Sequence, residues 1–103
     1  MLLKNIEITE KTIEAFCQKN HIRRLSFFGS VIRDDFKPDS DVDVLVEFEP
    51  DAAVGFIKLA ALERELSQII GGRRVDLRTP ADLSRYFRND VLAEAVAGYV
   101  AKR

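Results

Sequence analysis

Apolar and polar residues alternate along this chain with two different periods, and the switches between periods mark the elements. Over 9–20 the apolar residues Ile13, Phe16 and Cys17 recur at helical spacing behind Thr9, an N-cap residue type, which predicts a first helix. Residues 22–28, rich in Ile, Leu and Phe, predict a strand that Gly29-Ser30 breaks, with a short helical turn over 31–34. Lys37-Pro38-Asp39-Ser40 is turn chemistry. Residues 42–48 are dense in β-branched and aromatic side chains and make the clearest strand. A long amphipathic helix follows over 53–70, with Phe56, Leu59, Leu62, Leu66 and Ile69 as its apolar stripe and Gly71-Gly72 as its stop.

Residues 73–78 predict a third short strand. Thr79-Pro80 then opens a short helix to about Phe87, and Asn89 caps a last helix over 90–101. Leu92, Ala95, Val96 and Tyr99 form that last helix's stripe, but Val91, Ala93, Ala97, Gly98 and Val100 leave little polar surface. A helix apolar nearly all round calls for burial on more than one side, supplied equally well by the domain's own core or by another chain in an oligomer.

Composition narrows the class. The 103 residues fit a single domain over 1–103, 47% hydrophobic content builds a core, and 32% charged residues favour solubility. A net charge of −1 argues against a general nucleic-acid binder. No apolar run approaches the roughly 18 residues that cross a bilayer, and the start of the chain, Met1 to Asn5, lacks a signal peptide's apolar stretch. A cytoplasmic protein is the expectation. Cys17, the one cysteine, cannot form an internal disulfide and sits among apolar helix positions, which predicts burial.

The chemistry concentrates in Phe28-Gly29-Ser30, ten intervening residues, then Asp41-Val42-Asp43. Strand alternation turns Asp41 and Asp43 to one face and Val42, Val44, Val46 and Phe48 to the other. Gly29 allows a tight turn and close backbone approach, and Ser30 offers N–H groups and a hydroxyl to a phosphate. Arg74, Asp76 and Arg78 share a face of the third strand, so Asp76 joins Asp41 and Asp43 if that strand lies beside 42–48. Three carboxylates can hold two hard divalent cations, which would clamp the attacking and leaving oxygens of an in-line displacement. The plain alternative makes the aspartates strand-end residues that cap loops. An EF-hand fails because Val44 and Pro50 stand where its glycine and glutamate belong, no P-loop is present, and His21 alone at a helix edge does not make a triad.

At these residues the chain resembles the nucleotidyltransferase superfamily that includes the DNA polymerase β palm, and within it the minimal nucleotidyltransferase (MNT) family. The pattern Gly-Ser, ten residues, Asp-x-Asp falls on Gly29, Ser30, Asp41 and Asp43, and the later carboxylate on Asp76. Asp34 departs from relatives that carry glycine after the arginine matched by Arg33. The resemblance implies an α/β (α+β) fold, a small mixed sheet backed by helices in two or three layers. It implies Mg²⁺, two ions, held by Asp41, Asp43 and Asp76 as catalytic and metal residues, with ATP as substrate and Gly29, Ser30 and Arg33 on its phosphates. It further implies transfer of AMP to a hydroxyl, a tyrosine of a partner HEPN toxin, in the role of antitoxin. A non-catalytic antitoxin that neutralises its partner by occlusion is the alternative, and a small-molecule nucleotidyltransferase a third reading. Larger relatives carry a further domain for the acceptor, so here a partner is expected to bring it, with the 90–101 helix as a suitable contact.

Overall fold

The computed structural model describes residues 8–33, 36–86 and 88–101. The expectations for Met1 to Asn5, Asp34 and Phe87 fall outside them. Helix α1 (Glu10–Lys19) is capped by Thr9, whose hydroxyl accepts from the Thr12 N–H at 3.2 Å, and it buries Ile13, Phe16 and Cys17. Asn20 ends it, donating from its buried amide to the Phe16 carbonyl at 2.9 Å. Strand β1 (Ile22–Phe28) pairs antiparallel with β2 (Val42–Phe48), and β3 (Val75–Arg78) adds in parallel on the far side of β2. Such a parallel pair needs a crossover, which α2 (Phe56–Ile69) provides.

Both helices lie on one face of the sheet, so the architecture is two-layered. Their side chains join Leu25, Phe27, Val42, Val44, Val46, Val75 and Leu77 in one core. Ser26 and Leu45, which alternation sends to the opposite face, are buried too, as is Leu83 beyond the 3₁₀ turn Pro80–Asp82 that packs on β2. Among the described residues no helix is long and apolar enough to cross a membrane.

Several expectations need correction: β3 starts at Val75 rather than 73, and the turn expected over 31–34 starts earlier, at Gly29. Helix α2 starts at Phe56, not 53, because the chain is still turning after β2, with the Ala52 N–H on the Glu49 carbonyl. Phe56, placed in the apolar stripe, is 87% exposed, while Leu62 and Leu66 carry the burial. The helix expected up to Phe87 is only the short turn Pro80–Asp82.

The largest difference is at the C-terminus. The helix expected over 90–101 is instead a short α3 (Arg88–Glu94) followed by a strand, β4 (Val96–Val100). β4 pairs antiparallel with the open edge of β1, giving the order β3-β2-β1-β4. Helical spacing lost to two stronger effects: Gly98 costs a helix about 1 kcal/mol, and the buried strand β1 needs partners for its outward backbone groups. Contact with another chain through an apolar C-terminal helix therefore falls away.

Gly98 sits at the bulge of this pairing, where Leu25 and Ser26 face Tyr99 and Ala97. A Cβ there would stand 2.7 Å from Phe27 Cε2 and 3.3 Å from Leu25 Cδ2. Gly98→Ala is expected to destabilise the fold by about 1–3 kcal/mol through overpacking, measured as a lower urea midpoint with an unchanged slope.

Candidate functional site

The site residues come together because the C-terminal end of β1 meets the N-terminal ends of β2 and β3 at one edge of the sheet. Phe28 of β1 is opposite Asp43 of β2, and Asp43 is opposite Asp76 of β3, so these three form one row across the sheet, with Gly29 directly after Phe28 and against the Asp43 side chain. Asp41, one residue before β2, lies close enough for its charge to act on Asp43. Asp43 and Asp76 lie opposite the helix-covered core, at the edge of the half-buried second face.

Gly29 has φ +73 and opens a 3₁₀ turn (Gly29–Ile32) that carries Ser30, with the Arg33 N–H closing on the Ser30 carbonyl at 2.9 Å. The Asp43 carboxylate rests against this glycine: a Cβ at position 29 would overlap Asp43 Oδ2 and lie 3.1 Å from its Cγ. The close backbone approach expected of Gly29 is thus made, in this structure, by the protein's own carboxylate.

Burial pushes the Asp43 carboxyl above its ordinary range, and the charges of Asp76 and Asp41 push the same way. Arg78 and Arg33 oppose that shift without cancelling it. The other two carboxylates have arginine partners. Arg74 Nε stands 3.4 Å from Asp41 Oδ1. Arg78 brings Nε and Nη2 to a single oxygen, Asp76 Oδ2, at 3.3 and 3.2 Å. Among the described residues no three carboxylate, imidazole or thiol side chains converge as a ready cage for a metal ion.

Arg33 reaches Glu94 of α3 at 3.9 Å. Nothing in the spacing of the sequence signals that contact, since the two residues meet only through the fold of the C-terminal segment. A cleft of about 330 Å³, lined in part by Ser40, Gly71, Gly72, Arg73 and Arg74, opens beside Asp41. Arg73 is fixed there by its place 4.9 Å over the Phe36 ring. Arg74 and Arg78 are therefore paired into the acidic face, which the alternation of that strand indicated but did not resolve into pairs.

Residues 9–97 match the nucleotidyltransferase domain family. The chain is 39% identical over 75 residues to the protein adenylyltransferase MntA of Thermococcus cleftensis, covering 73% of each sequence. It is 33% identical over 92 residues to a Methanocaldococcus jannaschii protein provisionally named a protein adenylyltransferase, covering 89% of this chain and 96% of that one. Its fold is similar to a chain in the solved complex of a tri-AMPylated Shewanella oneidensis HEPN toxin with MNT antitoxin. The TM-score is 0.65 at 19% identity, over 89% of this chain and 70% of that one.

Proposed function

The chain belongs to the nucleotidyltransferase domain family, and on that premise we propose that it transfers AMP from ATP to a hydroxyl of a partner protein, a HEPN-type toxin for which it is the antitoxin. The observation that carries this reading is that Asp43 and Asp76 stand side by side on β2 and β3 with Gly29 packed against Asp43. This puts the Gly29–Ile32 turn, whose first N–H groups would grip a phosphate, directly beside a pair of carboxylates. The name of the Thermococcus cleftensis relative and the composition of the Shewanella oneidensis complex support the acceptor class.

The donor set suits Mg²⁺. The oxygens are hard, Asp43 is burdened by burial and by two neighbouring negative charges, and arginines already take a cation's place on Asp41 and Asp76. Asp41 and Asp43 would hold the ion that comes with the triphosphate, and Asp43 and Asp76 the ion on the acceptor side. Bound there, the ions supply charge neutralisation and a lowered pKa for the acceptor hydroxyl. The chain's own residues do the positioning. Gly29 and the first N–H groups of the 3₁₀ turn bring backbone up to the β- and γ-phosphates, Ser30 adds its hydroxyl, and Arg33 adds a positive charge beside Asp43. The site has no nucleophile of its own, so the acceptor oxygen attacks the α-phosphorus directly, the bond to the β-phosphate's bridging oxygen breaks, and pyrophosphate leaves. Catalysis is then alignment plus charge stabilisation.

The test is ATP labelled on its α-phosphate, incubated with Mg²⁺, the protein and an extract of the source cells. A labelled protein band is expected with the wild type and absent with Asp41→Asn/Asp43→Asn. If the double variant binds and neutralises the same partner with no label in either sample, the protein works by occlusion and the transfer reading is wrong.

A further inference from the structure

Arg78 stands apart from the other cations of the site. It lies two residues beyond Asp76 on β3, so strand alternation brings both side chains to one face, and both its Nε and Nη2 close on the same carboxylate oxygen. Arg74 holds Asp41 through one nitrogen with its side chain 81% exposed, whereas the Arg78 side chain is 45% exposed. The outer edge of β3 is occupied as well, since the Leu77 N–H donates to Glu63 of α2 at 3.0 Å.

Electrostatics make the pair a substitution for something. Asp76 and Asp41 are negative groups close to Asp43, and Arg78 attracts Asp43 as well as Asp76. In turn Asp76 raises the Arg78 pKa above its ordinary value, chiefly through the hydrogen bond, so the guanidinium stays charged. A divalent cation carries twice the charge and coordinates oxygen at about 2 Å, closer than a guanidinium can approach.

We infer that Arg78 is a positioning residue that holds Asp76 as an internal counter-cation and yields it when a divalent cation binds on the acceptor side. The inference rests on the proposed reading of Asp76 as a cation ligand. It adds an order of events: the ion on Asp41 and Asp43 loads first, and the ion on Asp76 second, because the second must displace an arginine.

The experiment uses the full chain and Mg²⁺ alone, followed through the ¹⁵N resonances of arginine Nε–H groups. The Arg78 signal is identified by its loss in Arg78→Lys. It is expected to move, as Mg²⁺ saturates, to the position it has in Asp76→Asn without metal. Mn²⁺ titration read by electron paramagnetic resonance should show a weaker binding step that Asp76→Asn removes. Arg78→Ala should tighten that step about two- to fivefold, the range of an exposed ion pair. An Arg78 signal that stays in place while Asp76→Asn still removes the weaker step would overturn this inference and leave the cation reading standing. Binding of Mn²⁺ that is unchanged in Asp76→Asn would overturn both.

Discussion

Replacing Asp43 with Asn is expected to cut nucleotidyl transfer on the order of a thousandfold while making the metal-free protein more stable at neutral pH. The two effects share one cause. Asp43 is partly buried beside Asp76 and Asp41, and its carboxyl is raised above the ordinary value of 3.8. A raised folded-state pKa means that the folded protein holds this proton over a pH range where the unfolded chain has lost it. Stability from that group is therefore complete below the unfolded value and is lost as pH rises through the folded one. At pH 7 the ionised Asp43 weighs against the fold, and the neutral amide of Asn removes that load. Thermal unfolding without metal should give a higher midpoint for Asp43→Asn than for wild type at pH 7, and the gap should close as pH falls towards 4. Mg²⁺ with a non-hydrolysable ATP analogue should reverse the order. At about a hundred times the dissociation constant a ligand adds roughly 2.7 kcal/mol to the wild type, and the variant should gain little of it. A variant less stable than wild type in both conditions would mean that Asp43 supports the fold rather than the site.

That exchange of stability for function bears on what the sequence could reveal. The aspartates sit where a purely structural sequence would not place them, on a face that β2 half buries. Their order along the strand made one side of the site legible from alternation alone. Strands 22–28 and 42–48 were legible to the residue because β-branched content, glycine and turn residues all agree at their ends. Asp76 was legible only conditionally. Its place depends on β3 lying parallel beside β2 in a register that puts 76 opposite 43, and nothing local in the sequence sets that register. Arg74 and Arg78 were visible as neighbours on one face, but their pairing with Asp41 and Asp76 is a tertiary result. The C-terminal segment failed for a different reason. Its spacing suits a helix, yet the unpaired edge of β1 offers Val96–Val100 a ladder of backbone hydrogen bonds, which continues to the Ala101 N–H on the Arg23 carbonyl at 2.8 Å. Local pattern cannot register a vacancy created by another strand.

The second large effect is expected at Gly29, where two penalties fall on one methyl group. Gly29→Ala places an L residue at φ +73, which costs about 1–2 kcal/mol by itself. The new Cβ also enters the space of the Asp43 carboxylate, 3.1 Å from its Cγ. Either the turn or Asp43 must shift, and overpacking of this kind costs about 1–3 kcal/mol more. Gly71→Ala separates the two terms. Gly71 has φ +85, yet no atom lies within 4 Å of a Cβ built there, so that variant carries the backbone strain without the collision. Both variants should lower the urea midpoint, Gly29→Ala by the larger amount. The functional readouts should divide more sharply. Displacing a metal-binding carboxylate by about 1 Å is enough to lose a hundredfold in rate, so Gly29→Ala should lose AMP transfer and Mg²⁺-dependent stabilisation together. Gly71→Ala, which sets no atom against Asp43, should keep both. Equal loss of stability in the two variants, with Mg²⁺ stabilisation intact in Gly29→Ala, would show that the glycine serves the turn alone. The predicted result would instead tie the left-handed residue at the end of β1 to the position of Asp43, and so tie the Gly-Ser step to the carboxylates that follow it.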